Sequence, residues 1–276
     1  MNREAGPERA ERIVVALDAS PQSVAALRAA AELAALMEAE VEGLFIEDIN
    51  LLYLCDLPFG REVGSYTARV RRLETSEMER HLRVLAATIR EAMRRVASQT
   101  PMRWSFSVRR GVVSEELLAA AESASLVSVG RGGRAPRAGI GSTAQSLVEQ
   151  VRRPLLISSE GSSLEYPLTL LYTGTAAARR ALELALRLVR RESSRLRIVV
   201  WGAGDASADL GELEQAVRRL AQPHLEAGAE PLIVVKIPAS ADLLTTLAGL
   251  AGGTLVLPHE QASLVAAYGR PSLLVP

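Results

Sequence analysis

The chain has 276 residues, of which 48% are hydrophobic; at about 150 residues per domain that is one large domain or two small ones with ample material for a core. Thirty-two Lys and Arg balance 32 Asp and Glu, and a formal charge of zero argues against electrostatic binding to nucleic acid or membranes as the main work. Cys55 is the only cysteine, which excludes a disulfide framework or a thiolate metal site and points to a reducing, cytoplasmic setting. Met1 to Arg12 is polar and charged, unlike a signal peptide, and no uncharged apolar stretch reaches the ~18 residues of a membrane span. Lys236 is the only lysine, so a Walker-type phosphate lysine is excluded from the preceding residues.

Ile13 to Leu17 is a continuous apolar run, as expected of a strand buried on both faces of a parallel sheet. It ends at Asp18-Ala19-Ser20-Pro21, a turn that supplies capping oxygens for a helix running to about Ala39. Val41 to Ile46 reads as the second strand. The segment Glu47 to Tyr66 reads as irregular and contains the apolar run Leu51-Leu52-Tyr53-Leu54-Cys55. A long helix is expected over roughly Ala68 to Ser98, with Leu82, Leu85, Ile89, Met93 and Val96 on one stripe. Trp104 to Val108 is a third strand, Ser114 to Ser123 a helix, and Leu126 to Val129 a fourth strand. Gly130 to Gly141 is a glycine- and arginine-rich loop, Ser142 to Arg152 a helix, and Leu155 to Ser158 a fifth strand. Such alternation implies a parallel sheet with helices on both faces.

After a polar linker, 159 to 167, the pattern begins again. Leu168 to Tyr172 repeats the first strand, and Thr173-Gly174-Thr175 stands 155 residues after Asp18-Ala19-Ser20. Leu196 to Trp201, Leu232 to Lys236 and Thr254 to Leu257 match the second, third and fourth strands. Pro271-Ser272-Leu273-Leu274 echoes Pro154-Leu155-Leu156-Ile157. The second copy is a trimmed version of the first and has lost its loop.

Gly130-Arg131-Gly132-Gly133 follows directly on a buried strand, and Gly141-Ser142-Thr143 opens the next helix. In an open parallel sheet, ligands bind beyond the carboxyl ends of the strands, near the point where strand order reverses. Glycines there admit an anion close to backbone N–H groups, and a helix N-terminus adds orphan donors and partial positive charge. A phosphate is the natural tenant. Asp18 ends the first strand on the same rim, where its carboxylate is placed to accept hydrogen bonds from a nucleoside. Arg131, Arg134 and Arg137 are placed to offset negative charge. The plainer reading of the same residues makes the glycines turn residues, Ser142 an N-cap and Asp18 a cap of the first helix.

Ile13 to Ser20 (I-V-V-A-L-D-A-S), Gly111 to Gly130 (G-V-V-S-E-E-L-L-A-A-A-E-S-A-S-L-V-S-V-G) and the G-x-x-G…G-S-T loop together resemble the universal stress protein family. The resemblance covers residues 12–158 closely and 168–276 as a weaker second copy. It implies an α/β protein of two Rossmann-like (adenine nucleotide alpha hydrolase-like) domains with parallel five-stranded sheets, the second copy degenerate. Family members that are single domains pair through their last strands, so Leu155–Ser158 and Ser272–Val275 are the candidates to meet here in an intramolecular pseudo-dimer; a further homodimer is left open. In nucleotide-binding members the loop holds the phosphates of ATP. Carried over by position, Asp18 and Val41 flank adenine and ribose, Gly130 lies against the ribose, and Gly133, Gly141, Ser142 and Thr143 hold phosphates. The chain departs from the family in having seven residues, where the family has nine, between Gly133 and Gly141. Ser125 stands where the family has an aspartate. In the second copy Thr173 replaces Asp18 and Pro258 replaces Gly130, so at most one nucleotide site per chain is expected.

His81, His224 and His259 have no metal-ligand spacing, and neither a nucleophile elbow nor a P-loop ending is present. Three functions follow: a regulatory module that binds ATP, with or without magnesium, in the first domain; a nucleotide-independent module for a protein partner; and, last, a slow ATPase. The run Leu51 to Phe59 either packs under the long helix or forms an interaction surface.

Overall fold

Strands that are apolar on every residue can exist only between two layers of helix, and the sheet obeys this. The computed structural model describes residues 11–57, 61–63, 70–72, 74–132, 139–161, 163–192, 196–202, 210–224, 232–238, 241–250 and 252–276. In chain order the first half comprises β1 (Arg12–Leu17), α1 (Pro21–Met37), β2 (Glu40–Asp48), α2 (Ile49–Asp56), β3 (Arg61–Val63), β4 (Val70–Arg72), α3 (Thr75–Gln99), β5 (Arg103–Gly111), α4 (Val113–Ala121), β6 (Leu126–Gly130), α5 (Ser142–Gln150) and β7 (Leu155–Ser158). The second half comprises β8 (Leu168–Tyr172), α6 (Ala176–Glu192), β9 (Leu196–Trp201), α7 (Leu210–Ala221), β10 (Leu232–Ile237), α8 (Leu243–Gly249), β11 (Leu255–Pro258), α9 (Ser263–Tyr268) and β12 (Ser272–Val275).

Ten of these strands form one sheet in the order β10-β9-β8-β11-β12-β7-β6-β1-β2-β5, while β3 and β4 pair antiparallel by themselves. Within each half every neighbour is parallel. The two halves meet at β7 and β12, which run antiparallel with Leu273 opposite Leu156 and Leu274 opposite Leu155. Read outward from that junction, β7-β6-β1-β2-β5 mirrors β12-β11-β8-β9-β10.

Alternate residues of each strand feed two cores. Ile13, Val15 and Leu17 of β1 pack with the buried alanines of α1 and with α3 and α6. Val14 faces the opposite layer, with Leu117 of α4, Leu147 of α5 and Val265 of α9. Ala25, Ala26, Ala29, Ala30 and Ala34 let α1 lie close to the sheet. Its start is fixed by Ser20, whose hydroxyl accepts the Ser23 N–H at 3.1 Å, and by Pro21 in the first turn.

Two elements differ from the sequence expectation. The segment after β2 is not wholly irregular: Asp48 N-caps α2, its Oδ1 accepting the Asn50 N–H at 3.0 Å. The long helix starts at Thr75 rather than near Ala68, because Val70–Arg72 pair with Arg61–Val63 instead. Among the described residues its apolar stripe begins at Met78 and Leu82.

A reciprocal clasp joins the halves beside the junction. Arg131, just after β6, donates to the carbonyls of Val265 (2.8 Å), Ala266 (3.3 Å) and Arg270 (3.3 Å) and to the Ser159 hydroxyl (3.3 Å). His259, just after β11, places Nε2 at 2.7 Å from the Val148 carbonyl of α5. Each residue thus follows the fourth strand of its own half and binds the last helix of the other. The linker is held by a close approach: Gly253 takes φ +99°, and a Cβ there would overlap the carbonyl oxygen of Pro167.

Leu156 is fully buried at the junction, so Leu156→Ala is expected to lower unfolding free energy by about 2–5 kcal/mol. Gly253→Ala combines a left-handed backbone with a steric overlap and is expected to destabilise by more than ~1 kcal/mol. Urea unfolding of each variant against the parent chain measures both.

Candidate functional site

The parallel strands of the first half end on one rim, and β1 and β6, neighbours in the sheet, are where the strand order reverses. Beyond their carboxyl ends lies a cavity of ≈ 630 Å³. Its floor is Ala16 to Asp18 of β1 and its following turn, Leu44, Ile46 and Asp48 of β2, and Val129 and Gly130 of β6. Val113 and Leu117, one turn apart on α4, and Leu51 of α2 form its apolar walls, while Gly132, Gly141, Ser142, Thr143 and Ala144 close the other end.

That closing end is built by hydrogen bonds at the base of the glycine-rich loop. Arg131 N–H donates to the Ser158 carbonyl and Gly141 N–H donates to the Arg131 carbonyl, each at 2.7 Å. Gly141 is the N-cap of α5, its carbonyl accepting the Gln145 N–H at 2.9 Å, and no side chain caps the helix. Ser142 is therefore the first helical residue, not the cap. Within the helix, the N–H groups of Ser142, Thr143 and Ala144 precede the first available carbonyl, and all three residues line the cavity. Orphan amides and the positive end of the helix dipole at a cavity wall are chemistry that favours an anion there.

Just after β1, Ala19 takes a left-handed backbone, φ +63°. The chain turns sharply there and the Ser20 N–H returns to Asp18 Oδ1 at 2.9 Å. Since Ser20 is the α1 cap, Asp18 is not; its carboxylate lines the cavity with one backbone donor upon it. Gly130 has a structural reason of its own. A Cβ would stand 2.9 Å from the backbone of Gln22, so glycine is what lets the first turn of α1 approach β6.

Of the residues singled out in the sequence, Asp18, Gly130, Gly141, Ser142 and Thr143 are brought together around this cavity. Gly133 lies outside the described residues, as do Arg134 and Arg137. Val41 is a correction: it is fully buried near the amino end of β2, facing the α1 and α3 layer, away from the rim. The β2 contribution comes instead from Leu44, Ile46 and Asp48, on the other face and nearer the carboxyl end. Strand polarity and the two-residue alternation carry that signal in the sequence. Arg131 is a second correction. Its guanidinium is committed to the second half, and burial pulls its pKa below the ordinary arginine value.

The run from Leu51 is split. Leu52 and Cys55 are buried, whereas Leu51, Tyr53, Leu54 and Leu57 are 38–59% exposed; Pro58 and Phe59 lie outside the described residues. Among the described residues no group of three or more His, Cys, Asp or Glu could hold a metal ion, and no helix is long and apolar enough to cross a membrane.

The chain is similar over 95% of its length to a universal stress protein from Archaeoglobus fulgidus DSM 4304, with 97% of that chain covered, 15% identity and a TM-score of 0.65. A functionally unknown protein from Pseudomonas aeruginosa PAO1 and a putative universal stress protein from Pseudomonas aeruginosa UCBPP-PA14 each match 96% of this chain and 92% of their own, at 13% identity and a TM-score of 0.56. At these identities the likeness is one of fold. No curated protein matches significantly. The model of the universal stress protein family matches residues 10–159, more than half of the chain and all of the half that carries the cavity; the protein belongs to the universal stress protein family.

Proposed function

We propose that this protein is a regulatory module that binds ATP, or a closely related adenine nucleotide, in the cavity of its first half. The observation that carries the reading is the uncapped N-terminus of α5 at one end of a cavity whose other end is apolar. A nucleotide has that polarity: a flat base that gains by leaving water, and phosphates that require donors. Leu44, Ile46, Leu51, Val113 and Leu117 offer the apolar end. Asp18 lines the same cavity, and a carboxylate there is suited to accept hydrogen bonds from ribose or base. A cavity of ≈ 630 Å³ falls within the roughly 300–1,000 Å³ typical of small-molecule sites. Magnesium would enter with the nucleotide, held chiefly by its phosphates.

The chemistry of the rim supports binding more than turnover. Among the described residues no side chain is arranged there as a nucleophile–base pair, and Asp18 already accepts the Ser20 N–H. A second reading, docking of a protein partner without nucleotide, draws on the exposed Leu51, Tyr53, Leu54 and Leu57 of α2 and its end. Leu51 belongs to both, since it also walls the cavity.

Calorimetry of nucleotide-stripped protein with ATP and magnesium is expected to give one site per chain. Gly141→Val crowds the amide end and is expected to abolish the signal. Asp18→Ala is expected to weaken binding at least tenfold, the equivalent of about 1.4 kcal/mol, in line with loss of a hydrogen bond to a charged group. No heat at millimolar ATP, or equal affinity in parent and both variants, overturns the reading and turns the search to the α2 surface.

A further inference from the structure

The cavity lies in the first half, yet the base of its anion-binding end is held by the second. Arg131 is one residue beyond β6 and its main chain closes the loop: its N–H is bound by Ser158, and its carbonyl receives the N–H of Gly141, the residue that starts α5. Its side chain leaves this loop and spreads over α9 and the turn after it, reaching Val265, Ala266 and Arg270. The carbonyls of Val265 and Ala266 belong to the last turn of a helix, where no intrahelical N–H serves them. A planar guanidinium with five donors suits such a set, and the Ser159 hydroxyl, on its way to the Gly269 carbonyl, takes one more of them. The far end of α5 is held from the same side, by His259 on Val148.

From this we infer that Arg131 is a positioning residue for the anion-binding end of the cavity: by anchoring the loop base on α9, the second half sets how tightly the first half holds a phosphate. The inference rests on the nucleotide reading of the cavity for its ligand. The anchoring itself does not. A loop base fixed before the ligand arrives presents the Gly141, Ser142 and Thr143 region in one arrangement, so less ordering entropy is lost on binding. Freed from α9, the same segment samples other arrangements and the phosphate contacts weaken. Contacts at the apolar end, made by Leu44, Ile46 and Leu117 on β2 and α4, do not depend on Arg131.

The test compares the full-length parent chain with Arg131→Ala and Arg131→Lys, using ATP and adenosine as separate probes. Arg131→Ala is expected to weaken ATP by about tenfold, the scale of one charge-assisted hydrogen bond, and to leave adenosine within about twofold. Arg131→Lys keeps the charge but not the fork, and is expected to fall between the two. Hydrogen exchange at the Gly141 amide, measured without any ligand, is expected to quicken in Arg131→Ala. Unchanged ATP affinity in both variants, or equal loss of ATP and adenosine, overturns the inference. So does undiminished Gly141 protection. If Arg131→Ala does not fold, the Arg131→Lys chain decides by the same two readouts. A parent chain that binds no ATP sinks the nucleotide reading and with it the ligand-linked part; quickened exchange at Gly141 in the variants would still uphold the anchoring.

Discussion

The antiparallel pairing of β7 with β12 is the contact on which the rest of the molecule is arranged. Each strand is buried along its whole length, and in an isolated half each would be an apolar sheet edge with a row of unpaired backbone groups, an open template for association. Pairing them removes both edges at once and makes ten strands one sheet. It also brings the last helix of each half against the other, which is why Arg131 and His259 can reach across to Val265 and Val148. These two carbonyls occupy the same place in the two helices, one turn or so from the end. The clasp is therefore symmetric in position and unlike in chemistry: a multidentate guanidinium one way, a single imidazole contact the other.

The halves share a frame but have resolved their rims differently. In the second half the start of α6 is served by Thr175, whose hydroxyl accepts the Ala178 N–H at 3.1 Å, and that of α8 by Asp242. The Asp242 carboxylate is held below its usual pKa by those hydrogen bonds, chiefly from the Thr245 hydroxyl and N–H. Pro258 replaces Gly130, and a single turn from His259 to Gln261 leads on toward α9 where the first half has its glycine-rich loop. The starts of α6 and α8 are thus satisfied internally, whereas α9, the counterpart of α5, begins after Ala262 without a side-chain cap. In the first half α5 keeps an uncapped start and a cavity in front of it.

Much of this was legible in the sequence because burial on both faces writes itself as unbroken apolar runs. Leu155–Ser158, Leu168–Tyr172 and Leu196–Trp201 could be read to the residue. The site was legible where one local signal sufficed: a carboxylate at a strand end, glycines before a helix. It failed where direction or partners mattered. Val41 shares its strand with the rim residues but stands near the wrong end and on the wrong face, and a positional transfer ignores both. Arg131 carries the composition of a phosphate ligand, yet its partners are carbonyls more than 130 residues away, which no local pattern encodes. Nor could the run from Leu51 be divided by composition. Helical spacing buries Leu52 and Cys55 and leaves Tyr53 and Leu54 outside.

On the nucleotide reading, the two ends of the cavity draw on different physics, and only one of them calls for a firmly attached second half. The apolar end gains its free energy from surface removed from water, which tolerates small displacements and needs no exact geometry. The amide end works through hydrogen bonds and a dipole, whose strength falls steeply with distance and angle. It also has to keep helix donors without side-chain caps facing a cavity when no anion is present, an arrangement the local sequence does nothing to enforce, since Gly141 provides no capping oxygen and Ser142 is already inside the helix. Rigidity at that point must come from elsewhere. The Gly141-to-Arg131 bond supplies part of it, and the Arg131 hydrogen bonds to α9 and the His259 contact at the other end of α5 tie it to the second half.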